Sequence, residues 1–561
     1  MNLLFILLLL VGTILLSWPL GKAITWAMEP DNSISLWRRQ LELLLQKIGG
    51  PALAKGQSWQ QYLFSLLLFN GVMFVVAYTI LALQQWLPLN PDSKGALEPS
   101  LIFHTAASFV ANTNLQHYAG EVSLSYFSQL FALMWLQFVS AATGLAALSA
   151  LARGLAGRTC LGNFYQDLLR AVVLILLPLS ALLALLLVLG GVVMTLQGAV
   201  HASTLEGVTQ VIARGPVAAF VAIKQLGTNG GGFFGVNATH PFENPTSLTN
   251  LLESMSILLL PMACVWMFGR ITGRMRHATV IFAVMAILLL IKICLANYYE
   301  SAPTAALIGL PIETAANLEG KELRFGPTAS ATWSILTTAT SNGSVNAMHD
   351  SLNPLTSLLA LIGMWFNVIF GGNGVGMINM FLYIIIGVFI SGMMVGRTPE
   401  YLGRKVETRE MKFALLAILI HPLFILGGTA LFAATSWGAS TVGNPGLHGF
   451  TEILYEFSSA AANNGSGLEG LADNTVPWNV ATGIIMLLAR FLPIIFPVAI
   501  AGSLAAKKPT PTTVGTLRTD TPLFGLVILG SIVFVGALLF LPVAVLGPIA
   551  EHLAAITTKP L

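Results

Sequence analysis

The sequence predicts an all-α polytopic membrane protein of about ten transmembrane helices. Three observations lead there. Of 561 residues, 55% are hydrophobic and only 9% are charged, whereas a soluble domain carries about a quarter charged residues. Such a chain cannot cover a water-facing surface, so its solvent is lipid. Apolar runs long enough to cross a bilayer recur along the whole chain. Four of the intervening loops share one pattern, a short helix-forming stretch followed by a polar tetrad.

The runs lie at about 3–21, 62–86, 126–150, 171–197, 252–269, 279–297, 412–435, 479–504 and 523–547. A further segment, about 356–395, is too long for one crossing at roughly 1.5 Å per residue. Its centre reads Gly371-Gly372-Asn373-Gly374-Val375-Gly376, which should break the helix, so it counts as one broken span and the total is about ten. The first run has neither a basic n-region nor an A-x-A-like cleavage site. It is read as a retained helix; as a cleaved leader it would leave nine.

Lys and Arg set the orientation. Lys22, Arg38, Arg39, Lys47 and Lys55, then Arg153, Arg158 and Arg170, then Arg270, Arg274 and Arg276 lie on one side. So do Arg397, Arg404, Lys405, Arg409 and Lys412, and Lys507, Lys508 and Arg518, making 19 of the 27 basic residues. The opposite side holds Lys94, Arg214, Lys224, Lys321, Arg324 and Lys559. The basic side is expected to be cytoplasmic, with both termini outside. A net charge of +3 with no basic stripe gives no reason to expect nucleic acid. Cys160, Cys264 and Cys294 are odd in number and lack C-x-x-C spacing, which excludes a disulfide framework and argues against a cysteine metal site.

The four outer patterns read as follows. His104–Ala111 precedes Asn112-Thr113-Asn114, and Ala218–Gly227 precedes Thr228-Asn229-Gly230-Gly231. Trp333–Thr340 precedes Ser341-Asn342-Gly343-Ser344, and Thr451–Ala462 precedes Asn463-Asn464-Gly465-Ser466. The spacing is roughly 110–120 residues. Singly, each is a turn. Four in the same topological slot point to one pseudo-fourfold pore of membrane–pore–membrane repeats, since irregular backbone at membrane depth survives only where it is buried or lines a cavity. The expected division is 1–61 (N-terminal helix and loop), repeats at 62–170, 171–276, 277–411 and 412–505, and a final loop and helix at 506–561.

A dehydrated K⁺ needs several oxygens at once, which backbone carbonyls can supply. Glycine permits the positive φ that turns them inward. The tetrads contain no Asp or Glu, so neutral dipoles would favour a monovalent ion over Ca²⁺. Each preceding half-helix would point its negative C-terminal end at the ion. The candidate filter is thus Asn112, Thr113, Asn114, Thr228, Asn229, Gly230, Ser341, Asn342, Gly343, Asn463, Asn464 and Gly465.

These residues carry a resemblance. Gly227-Thr228-Asn229-Gly230-Gly231-Gly232-Phe233-Phe234 with His240-Pro241-Phe242-Glu243-Asn244-Pro245 resembles the signature of the KdpA family, the potassium-binding subunits of bacterial potassium-transporting ATPases. So do Val345-Asn346-Ala347-Met348-His349-Asp350-Ser351, Gly396-Arg397-Thr398-Pro399-Glu400-Tyr401-Leu402-Gly403, and Asn112-Thr113-Asn114-Leu115-Gln116-His117-Tyr118. The resemblance implies four membrane–pore–membrane units, K⁺ taken from outside, and a bacterial inner-membrane location. It implies a P-type ATPase (KdpB-like) partner, a single-span outer-domain (KdpC-like) partner and often a small KdpF-like peptide. ATP would be spent in the partner; this chain has neither D-K-T-G nor G-x-x-x-x-G-K-[ST] and is expected to bind no nucleotide. The alternative is a stand-alone channel or symporter like the Trk and Ktr transporters. Three features depart from the family: Gly235-Val236 stands where Asn-Ala-like residues are expected, Asn342 fills a variable position, and the first filter lacks glycine, which argues against a full fourfold carbonyl ring.

Outside the filter, Arg490 lies about 11 residues, roughly 16 Å, into its span, beyond snorkelling reach. It is expected to face the pore. In the family the matching arginine sits below the filter, where it would oppose leakage. Gly371, Gly372, Gly374 and Gly376 form either a gate or a plain kink. Gln116 either contacts the ion path or props the filter loop. Lys292 is expected to snorkel. His117, His240 and His349 follow filters, but no carboxylate cluster in the sequence supports a metal. Glu243 is expected to anchor its loop.

Overall fold

The computed structural model describes residues 2–29, 36–50, 53, 55–303, 316–510 and 517–557; Lys559, counted above among the outer charges, lies outside them. Ten helices among the described residues are long and apolar enough to cross a membrane. They are Leu3–Met28, Trp59–Ala82, Ser128–Leu155, Phe164–Leu189, Ser247–Ile271, Met275–Glu300, Val375–Met394, Thr408–Ala433, Val476–Ala505 and Pro522–Thr557, called spans one to ten below. Two small antiparallel hairpins, Val200–Ser203 with Thr209–Ile212 and Glu400–Tyr401 with Arg404–Lys405, lie in connections.

Local chemistry explains where spans begin and end. Span four starts earlier than its apolar run because Asn163 caps it, accepting from the Gln166 amide at 3.2 Å. It ends at Leu189 because Gly190 and Gly191 follow, the latter at φ 100°. The overlong 356–395 segment is indeed broken, into Pro354–Phe366 and Val375–Met394. Asn367 ends the first half in the left-handed region at φ 48°.

Span one packs along span five, where a Cβ on Gly21 would lie 2.5 Å from the Trp266 Cβ, and the Trp266 indole donates to Ser17 at 3.0 Å. The ends of spans one to four meet at buried Arg153. It holds Asp167 at 2.5 and 3.0 Å, Glu29 at 2.5 Å, and the carbonyls of Met28 and Leu161 at 2.8 Å each. Tyr62 donates to the same Asp167 at 2.9 Å. This satisfies the donors that burial would otherwise orphan.

Lys292 does not snorkel. It is 4% exposed and points inward, with Nζ 2.3 Å from where a Gly363 Cβ would be. Its ammonium finds no hydrogen-bond partner among the described residues. Position along the span gave its depth; the helix rotation that turns it inward is set by packing.

Candidate functional site

Four short helices enter the bundle between spans: Pro99–Val110, Val217–Leu226, Gly326–Ala339 and Leu447–Ala462. Each ends at one of the polar tetrads. The first is started by Glu98, which accepts from the Leu101 amide at 2.9 Å, with Pro99 at its first position.

All four tetrads leave their helix in the same way. The second residue's amide reaches back five residues: Thr113 to the Ser108 carbonyl at 2.9 Å, Asn229 to Lys224 at 3.0 Å, Asn342 to Thr337 at 3.0 Å, and Asn464 to Ser459 at 2.9 Å. The first residue is left-handed in every copy, with φ of 58° at Asn112, 49° at Thr228, 51° at Ser341 and 51° at Asn463. So is the third, at 57° for Asn114, 79° for Gly230, 91° for Gly343 and 101° for Gly465. The first copy therefore keeps the backbone pattern without glycine. Asn114 substitutes because asparagine tolerates this region better than most residues. The missing glycine is thus no obstacle to a fourfold pattern of left-handed residues.

The tetrads also close on one another. A Cβ on Gly230 would lie 1.9 Å from the Asn342 carbonyl oxygen, one on Gly343 2.1 Å from that of Asn464, and one on Gly465 2.1 Å from that of Thr113. Gly231 completes the circuit, where a Cβ would lie 2.9 Å from the Asn114 Cβ. Amides brace the same seams. Asn112 Nδ2 donates to the Thr228 carbonyl at 2.8 Å, Asn464 Nδ2 to the Thr337 carbonyl at 2.8 Å, and Asn463 Nδ2 to Thr113 Oγ1 at 2.9 Å. The repeats stand in chain order around a single axis.

Against this geometry stand two comparisons. Residues 6–553 match the family model described as KdpA, the potassium-transporting ATPase A subunit. The chain belongs to the KdpA family. The crystal structure of the potassium transporter TrkH from Vibrio parahaemolyticus shares its fold, at a TM-score of 0.52 and 14% identity, covering 88% of this chain and 97% of that one. The chain is accordingly a multi-pass membrane subunit of a potassium transporter, in a family whose A subunits transport rather than catalyse.

Beneath the ring lies a cavity lined by Asn112, Ser341, Asn463, Gly371, Gly372 and Arg490, among others. Arg490 donates to the Ser140 carbonyl at 3.1 Å, and no carboxylate pairs with it among the described residues. The glycine loop is a packed element. A Cβ on Gly374 would lie 2.2 Å from the Gly144 carbonyl oxygen of span three, and one on Gly144 would lie 2.2 Å from that of Asn373. Asn373 joins this loop to the second tetrad: its amide N–H donates to Thr228 Oγ1 at 3.1 Å and its side chain to the Leu226 carbonyl at 2.8 Å.

Gln116 acts as a prop. Its Oε1 accepts from the Gly232 amide at 2.7 Å, and its Nε2 donates to the Gly232 carbonyl and the Tyr118 hydroxyl at 3.0 Å each. Glu243 is the buried anchor of its loop, ion-paired with Lys224 and accepting from the Phe234 amide at 2.9 Å. Asn237 was not singled out in the sequence; its Nδ2 donates to the Gly230 carbonyl at 2.7 Å. Its place three positions beyond the second loop's aromatic pair, Phe233-Phe234, was the available signal.

Of the three histidines, His240 stacks on Phe234 with centroids 3.8 Å apart, and His349 contacts the Tyr455 hydroxyl at 3.0 Å. His117 corrects the sequence reading: the fold brings Glu456 and Asp473 to it, making the carboxylate cluster that the sequence did not display. Burial opposes a charge on His117, but Asp473 and Glu456 outweigh it and hold its pKa up to about 9.

Proposed function

We propose that the twelve tetrad residues form a K⁺ selectivity filter, and that this subunit passes K⁺ on for uptake driven by a partner P-type ATPase. One observation carries the reading: four tetrads with the same left-handed first and third residues meet around one axis. A filter of this kind would supply several uncharged backbone oxygens to a desolvated ion. The four half-helices aim their C-terminal ends at it, each worth about 0.3–1 kcal/mol to a cation.

Arg490 then sets a positive charge below the filter on the route to the cytoplasm. Its lack of a carboxylate partner among the described residues supports a role against leakage. Phe366, Tyr383 and Phe540 also line this cavity, from which the ion would pass to a neighbouring subunit. The partners would be a KdpB-like ATPase, a KdpC-like single-span subunit and a small KdpF-like peptide. The setting would be a bacterial inner membrane with both termini outside.

The test is growth at low K⁺ in cells lacking other K⁺ uptake. This chain should rescue only when co-expressed with the ATPase partner. Rescue by the chain alone would replace the reading with a stand-alone, Trk-like channel or symporter. ATP hydrolysis by the purified chain would contradict a non-catalytic role.

A further inference from the structure

We propose that His117, Glu456 and Asp473 form a binding site for a divalent transition-metal ion of the Zn²⁺ class, riveting the first filter loop to the fourth half-helix. The site lies outside the tetrads and uses none of their residues.

The first support is which imidazole nitrogen faces the two carboxylates. Asn479 Nδ2 donates to Ser100 Oγ at 3.0 Å and to Asn474 Oδ1 at 3.3 Å, which fixes that amide's orientation. Its Oδ1 therefore accepts from His117 Nδ1–H, at 2.7 Å. An imidazole held this way at Nδ1 presents Nε2, the arrangement in which metal-bound histidines are oriented. His104 stacks on the ring at 3.7 Å and further fixes its plane.

The second support is spacing. Ligands about 2.0–2.1 Å from a tetrahedral Zn²⁺ stand about 3.3 Å from one another. Here Nε2 lies 3.2 Å from Glu456 Oε1 and 3.8 Å from Asp473 Oδ2. The third is an orphan: Glu456 is 1% exposed, and its Oε2 has no hydrogen-bond partner among the described residues. One neutral imidazole and two carboxylates balance a divalent charge, and the nitrogen ligand favours Zn²⁺ or Co²⁺ over Mg²⁺ or Ca²⁺. Binding exchanges the Nε2 proton for the metal. The Asp473 side chain is 25% exposed, leaving an entry path and room for a water as fourth ligand.

A second group, Asp350, His448 and Glu452, has similar composition, but its imidazole meets a carboxylate at both nitrogens, where His117 has an amide oxygen at Nδ1. His448 contacts Glu551 at 2.7 Å through Nδ1 and Asp350 at 2.9 Å through Nε2. Glu452 is occupied by the amides of Gly443 and Asn444.

The test counts metal rather than transport. The full chain carrying His448→Asn, which removes the second group, is incubated with Zn²⁺, gel-filtered and assayed by elemental mass spectrometry. About one Zn²⁺ per chain is expected, with affinity falling about tenfold or more in His117→Gln and in the milder Asp473→Asn. Co²⁺ should give the intense visible bands of a four-coordinate ion, lost in the same variants. No retained metal in the parent, or equal retention in parent and both variants, overturns the proposal.

Discussion

At the scale of single residues, the decisive feature is how little room the third tetrad position leaves. A methyl on Gly230 would lie 1.9 Å from the Asn342 carbonyl oxygen, on backbone already at φ 79°. Neither neighbour can give way without moving the next tetrad. Gly230→Ala should therefore cut K⁺ uptake by about tenfold or more and erode discrimination against Na⁺, since about 1.4 kcal/mol of misplacement already amounts to a factor of ten. Tracer Rb⁺ uptake in competition with Na⁺ measures both. Gly71 supplies the contrast, because no described residue lies within 4 Å of its added Cβ; Gly71→Ala should be neutral or add up to about 1 kcal/mol of stability. Arg490 makes a different prediction. With the Ser140 carbonyl its one hydrogen-bond acceptor among the described residues, its charge is free to act on the cavity. Arg490→Gln should preserve folding and raise passive K⁺ flux through the chain in liposomes. Unchanged flux would reduce it to a packing residue.

At the scale of elements, the broken seventh span is held by backbone pressed on backbone. Gly144 of span three and Gly374 of the loop each meet a carbonyl oxygen at 2.2 Å once a Cβ is added. Gly144→Ala must push the loop away, and Asn373 would lose its hold on Thr228 and Leu226. The expected result is a loss of about 1–3 kcal/mol, read as a lower melting temperature in detergent, with weaker K⁺ binding because the second tetrad loses its brace. The break itself was legible in the sequence, since a run of that length cannot cross once and its centre is glycine. Its partner, Gly144, was hidden in an ordinary apolar span 230 positions earlier. The same limit explains the other misreadings. Depth along a span could be counted for Lys292, but not rotation about its axis. Asn114 looked like a missing glycine because residue names do not show φ. The carboxylates near His117 come from the fourth repeat, more than 300 positions away, and only the closure of the ring brings them together.

At the scale of the whole molecule, the four repeats must be kept closed around the axis, and one clamp does this at the end of the chain. His448, at the start of the fourth half-helix, joins Glu551 of span ten to Asp350 beyond the third tetrad. Burial opposes its charge, but hydrogen bonds to Asp350 and Glu551 outweigh burial and hold its pKa up to about 10, against about 6.5 for a free imidazole. A group whose folded pKa is raised contributes fully below the unfolded value. Its contribution then declines as the unfolded chain releases a proton that the folded chain keeps, and it is gone once the pH passes about 10. The melting temperature should therefore fall from pH 7 toward pH 10 more steeply in the parent than in His448→Asn, with the two curves converging at the alkaline end. Lysines and tyrosines titrate in both proteins, so the difference between the curves isolates the clamp. The C-terminal helix should also become accessible to protease earlier in the variant at pH 7. Parallel curves would mean that His448 holds no proton against its two carboxylates and that span ten is fastened by apolar packing alone, such as the stacking of Phe540 on Trp365 at 5.0 Å.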